Sequence, residues 1–128
     1  MTIPIELATR WTAMWNREHP ASEIVSADCK VYFGRAPTTD RPETTRGAKE
    51  LQTMVDYTLA QRKGIVFSFD SAPLYQASGA DAGIVTLMWE VGVPGREKKT
   101  GIDLLRHEGE AIREVWSITG DLPLPPIC

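Results

Sequence analysis

Two residues on one short segment have the types and spacing for proton chemistry. Asp103 and His107 stand four apart within residues 98–107, a run that reads as a strand. Strand alternation puts Gly101, Asp103, Leu105 and His107 on one face, and Thr100, Ile102, Leu104 and Arg106 on the other. It does not say which face is inside. An Asp in an apolar pocket has a raised pKa, because burial disfavours its charged form. Such an acid can donate a hydrogen bond to a developing oxyanion, or shuttle a proton. Otherwise Asp103 pairs with a neighbouring strand residue or faces water, although Asp is depleted in strands and needs some reason to be there. His107 suits a general base near neutral pH, and equally a packed, hydrogen-bonded side chain. Tyr32, Tyr57, Trp89 and Trp116 could each aim a polar tip at a ligand, or sit in a core.

Several function classes find no support. There is no His-x-His or Cys-x-x-Cys spacing, so no metal site is expected. There is no Gly-x-Ser-x-Gly elbow and no phosphate-binding loop, and no cofactor is expected. The net charge is −3, and the densest basic cluster, Arg96-Glu97-Lys98-Lys99, contains its own acid. Nucleic-acid binding needs clustered Lys and Arg, so no such partner is expected. The two cysteines, Cys29 and Cys128, are too few and too distant for a disulfide framework, which favours a reducing, cytoplasmic setting. Residues 1–6 lack the charged and apolar regions of a signal peptide, and no apolar run approaches the ~20 residues of a membrane span.

The elements that must position these residues follow from hydrophobic spacing. A length of 128 residues fits one domain, 1–128, with its own core. Trp11 and Trp15, with Leu7, Ala8 and Met14, form an apolar stripe that predicts a helix over 4–17. His19-Pro20 breaks it. A short second helix is expected over 21–26 and a first strand over 29–33. Residues 34–46 are rich in breakers and read as a loop, flanked by Arg35 and Arg46, which suit solvent or an anion at a site rim. A third helix is expected over 47–63, with Ala48, Leu51, Val55 and Leu59 buried and Gly64 as its stop. Strands are expected over 65–75, 83–93, 98–107 and 111–119, with Val85, Leu87, Trp89 and Val91 sharing a face. Strands joined by short turns imply an antiparallel sheet, and helices ahead of them imply α+β packing with the three helices on one face.

That order resembles the nuclear transport factor 2-like superfamily, and within it the SnoaL-like proteins. The resemblance rests on the aromatic stripe of the first helix, on Val31-Tyr32-Phe33-Gly34, and on Arg46-Gly47 opening the long helix. It also rests on the pair Gly101-Ile102-Asp103-Leu104-Leu105-Arg106 and Gly109-Glu110-Ala111-Ile112-Arg113-Glu114-Val115-Trp116. It implies a cone: a strongly curved sheet wrapped on helices around an apolar pocket, in proteins that often dimerise through the outer sheet face. Asp103 then matches a pocket carboxylic acid of ketosteroid isomerase-like members. The catalytic set implied is Asp103, with His107 and Tyr32. The pocket would be walled by Trp15, Tyr57, Leu87, Trp89, Leu105 and Trp116. The ligand would be an apolar, carbonyl-bearing small molecule, isomerised, cyclised or dehydrated by proton transfer. A binding or scaffold module of the same fold is the alternative. Phe33 stands where the isomerases carry their general base, and Trp11 or Trp15 near their helix-one Tyr, which argues against a steroid-type isomerase. The last strand offers Ser117 and Thr119 where epoxide hydrolase-like members need Asp.

Overall fold

A computed structural model describes residues 3–34 and 43–127; the part of the expected loop at 35–42, with Arg35, and Cys128 fall outside them. Helix α1 (Ile3–Trp15) buries Leu7, Ala8, Trp11 and Met14, the stripe its spacing dictates. It ends two residues early, where Arg17 takes a φ of 63° and leaves the helix before Pro20 is reached. The expected second helix is a single 3-10 turn, Ala21–Glu23. Val25 and Ser26 already belong to strand β1 (Val25–Phe33).

Strand β2 (Thr44–Arg46) lies at the end of the expected loop and pairs antiparallel with β1, with Thr45 opposite Val31. Gly47 then opens helix α2 (Gly47–Gln61). Its φ is 81°, and a Cβ there would come within 2.9 Å of the Ala27 carbonyl oxygen, so this junction requires glycine. Helix α2 buries Leu51, Met54 and Val55, with Ala48 and Leu59 half-buried against the same core. It stops at Gln61, which leaves Arg62 just beyond its end.

The run expected as one strand over 65–75 is two, β3 (Val66–Ser68) and β4 (Leu74–Gly79). Both pair with the same edge of β5 (Ala82–Gly92). Pro73, which has no N–H for a ladder, sits in the break. Strands β6 (Lys99–Glu108) and β7 (Ala111–Thr119) complete the sheet as hairpin neighbours. The order is β2-β1-β7-β6-β5-β3, with β4 beside β5. The sheet is mixed rather than wholly antiparallel, because β1 runs parallel to β7. A parallel pair needs a long crossover, and here the whole chain between the two strands supplies it. Register shifts in β1, at Arg106/His107 and at Ala77/Gly79 bend the sheet. The architecture is α+β, and the described residues form two α-helices and one 3-10 turn in place of three helices.

The register sets the site. On the inner face, Leu87, Asp103, Ser117 and Phe33 form one row across β5, β6, β7 and β1. Val85, Leu105, Val115 and Val31 form the next, each of them fully buried. On the other side of Asp103, Trp89 faces Gly101. A Cβ at Gly101 would overlap the Trp89 indole, so the glycine makes room for that ring. Among the described residues no helix is long and apolar enough to cross a membrane.

Candidate active site

A cavity of about 300 Å³ opens between α1, the end of α2 and the inner face of the sheet. Its walls are aromatic. Trp11 and Trp15 meet edge-on at 6.3 Å, one helical turn apart on α1. Trp15 packs on Phe33 at 6.4 Å and on Phe67 at 5.4 Å, and Phe67 on Trp89 at 5.6 Å. These rings line the cavity continuously. Large rings that touch each other hold the wall in place with little side-chain freedom left.

Asp103 lies at the floor, 3% exposed. Its Oδ2 accepts a hydrogen bond of 2.8 Å from Trp11 Nε1, so α1 fixes the direction of the carboxyl group. Its Oδ1 has no partner, and neither has the nearby Trp89 Nε1. Both atoms are buried and both residues line the cavity. Burial pushes the Asp103 carboxyl above the usual carboxylate range. The Ser117 hydroxyl and the Trp89 and Trp11 indoles favour the charged form and offset this only in part. The floor thus holds a buried carboxyl group anchored by Trp11, with the Ser117 hydroxyl and the Trp89 indole close enough to favour its charged form although neither makes a well-formed hydrogen bond to it.

The other expected site residues divide. Trp15 and Trp89 line the cavity. Leu87 and Leu105 are fully buried core beside Asp103, not cavity wall. Tyr57 is half-buried on α2 and does not line the cavity; its neighbour Thr58 does, about 100° around the helix. His107 shares the face of Asp103, as alternation required, but lies about 13 Å farther along β6 and outside the cavity lining. Its Nδ1 donates to the Gly109 carbonyl at 2.8 Å, and its Nε2 bonds the Tyr75 hydroxyl at 2.8 Å. Both ring nitrogens are therefore used structurally.

Tyr32 and Trp116 are on the wrong face for a pocket. Val31 and Phe33 point inward, so Tyr32 between them points out. It stacks on Trp116 at 5.9 Å and donates to Glu114 Oε2 at 2.8 Å. Arg46 is exposed on β2 and is not part of the cavity.

Wall residues that the sequence reading did not select as pocket are Trp11, Phe33, Phe67 and Ser117, with Arg62 and Lys99 toward solvent. The signal for Ser117 and Phe33 was the β6–β7–β1 register, which places them in the row of Asp103. That register joins distant segments and is not local in the sequence.

No family model matches the chain, and no curated protein matches it in sequence. Solved structures do match in fold. A proposed isomerase of the SnoaL-like family from Agrobacterium tumefaciens superposes with a TM-score of 0.73 at 16% identity, covering 94% of this chain and 99% of that one. Wild-type IdmH, a proposed polyketide cyclase from Streptomyces antibioticus, gives 0.70 at 15% identity over 92% of each chain. A Xanthomonas campestris protein of unknown function with a cystatin-like fold gives 0.64 at 27% identity, covering 92% of this chain and 91% of that one. A nuclear transport factor 2-like protein from Mesorhizobium loti gives 0.63 at 18% identity, covering 92% of this chain and 91% of that one. With its curved sheet, enclosed helices and pocket at the sheet's inner face, the chain has the nuclear transport factor 2-like fold.

Proposed function

We propose that the protein is a small enzyme that moves a proton on an apolar, carbonyl-bearing molecule, with Asp103 as the group that carries it. The observation that supports this most is the carboxyl group of Asp103, buried at the floor of an aromatic cavity with Trp11 holding only its Oδ2. In its neutral form the acid donates Oδ1–H to the carbonyl oxygen, with Trp89 Nε1–H as a second donor. Two donors on that oxygen stabilise the negative charge that grows on it as solvent water takes the proton from the adjacent carbon and an enol forms. In its charged form the same oxygen accepts a substrate hydroxyl or takes up a proton. Trp11 holds Oδ2 throughout, so the proton moves at Oδ1. Isomerisation, cyclisation and dehydration all pass through such a step.

The test needs no identified substrate. The protein is incubated in deuterated buffer with 1-tetralone and 2-tetralone, and loss of the protons beside the carbonyl is followed by proton NMR. Exchange above the buffer rate is expected, falling by about 100-fold or more in Asp103→Asn. A folded Asp103→Asn variant that exchanges as fast as the unaltered protein would sink the proposal. Absence of exchange in the unaltered protein, with the ketone bound, favours a binding module instead. Phe33 in the row of Asp103, where related isomerases carry a base, is the observation behind that second reading.

We also propose a homodimer through the outer sheet face. Ile102 and Ile118 face each other there across β6 and β7 at 37% and 62% exposure, beside Trp116 at 38%.

A further inference from the structure

At its solvent end the cavity is lined by Arg62, Lys99 and Asp121. Lys99 is on the inner face of β6, in line with Gly101 and Asp103. Between the two charged residues stands only the glycine over which the Trp89 ring lies. Arg62 is the first residue beyond α2. Among the described residues neither cation has an ion-pair partner, whereas Lys98, next in the chain, holds Glu90 at 3.5 Å. Arg17, Arg106 and Arg113 likewise have carboxylate partners. Both cations line the cavity mouth, opposite a floor formed by Asp103 and Trp89.

We infer that the cavity takes an aromatic or similarly apolar acid, its carboxylate held at the mouth by Arg62 and Lys99 and its carbonyl oxygen seated on Asp103 and Trp89. This names the substrate class of the proposed proton-transfer reaction and rests on that reading. An Arg fork and a Lys ammonium are complementary to a carboxylate, and a charged acceptor shortens and strengthens each bond. Two cations against Asp121 leave a single positive charge at the mouth. That balance suits a monoanion, not a phosphate monoester, which carries about −1.5 to −2 near neutral pH. The aromatic wall keeps the ligand's charge away from the floor, so it does not oppose the proton at Asp103. The polarity of the site also fixes which end of the ligand enters first.

Calorimetric titration with 2-naphthoate and its neutral counterpart 2-naphthamide tests this. Naphthoate is expected to bind roughly five- to tenfold more tightly at low salt, with the preference shrinking as salt screens the exposed cations. Arg62→Gln combined with Lys99→Gln levels the two affinities, and Lys63→Gln, an exposed lysine outside the lining, keeps the preference. Equal affinities in the unaltered protein, or a preference lost equally in Lys63→Gln, overturn the carboxylate assignment while the apolar pocket stands. Binding of neither probe overturns the assignment and the pocket reading together. The deuterium exchange of neutral tetralones reports the Asp103 chemistry separately.

Discussion

An unpaired buried polar atom costs about 1–3 kcal/mol. Among the described residues three such atoms are found, Thr45 Oγ1 on β2 and, in two residues that line the cavity, Asp103 Oδ1 and Trp89 Nε1. Packing does not need the Asp103 carboxyl, since a leucine in its place would suit the row between Leu87 and Ser117 better. The buried Asp103 carboxyl is a cost that packing alone does not explain. It has a pH signature. Burial raises the folded-state pKa of Asp103 above its ordinary 3.8, so the fold prefers the protonated acid. Its contribution is fully present below about pH 3.8 and is lost as pH rises through the raised value. Asparagine mimics the neutral form. Denaturant unfolding should therefore show the unaltered protein losing stability relative to Asp103→Asn as pH rises through that window, then levelling. A difference that is flat with pH contradicts a buried, raised carboxyl.

The elements explain which parts of this were legible in the sequence. Strands β5, β6 and β7 match the spacing of Val85, Leu87, Trp89 and of Gly101, Asp103, Leu105 to within a residue or so at each end. They are hairpin neighbours with one buried face, so local alternation suffices. Alternation has two solutions, however, and the inward face of Asp103 is decided by Trp11, 92 residues away. The resemblance supplied that face; spacing did not. The same ambiguity misplaced Tyr32 and Trp116, whose neighbours Val31, Val115 and Ser117 take the interior. Strand β2 is too short to show a period, and the β1–β7 pairing is as nonlocal as the chain allows. Gly101 is the element-scale device that admits the Trp89 ring. Gly101→Ala should cost about 1–3 kcal/mol by overpacking, with a changed near-ultraviolet circular dichroism signal as the indole moves. A variant as stable as the parent, with an unchanged aromatic signal, would show that Trp89 is not seated on Gly101.

At the scale of the molecule, the sheet has two faces with different work. The inner face carries the core and the cavity. The outer face carries a charged network, Arg106 to Glu114 at 3.1 Å and Arg113 to Glu108 at 3.2 Å, beside the exposed pair Ile102 and Ile118. A stable interface buries about 800 Å² per partner with an apolar centre and a polar rim, and this face offers both. Sedimentation equilibrium should find a dimer, and Ile118→Glu should shift it to monomer without loss of fold. A monomer at every concentration in the parent protein rules the outer face out as a self-association surface. Because the cavity opens on the other side of the sheet, dimer formation and ligand binding should be independent, and Ile118→Glu should leave naphthoate affinity unchanged.

Everything proposed for the site turns on the proton at Asp103, and carbon-13 NMR titration of its carboxyl group, assigned by comparison with Asp103→Asn, reads it directly. The expected result is a midpoint clearly above 3.8, shifted again when a cavity ligand engages Oδ1. A midpoint at or below 3.8 would contradict it, for the carboxylate would then be held charged by Trp11, Trp89 and Ser117 and would serve only to anchor helix α1 to the sheet.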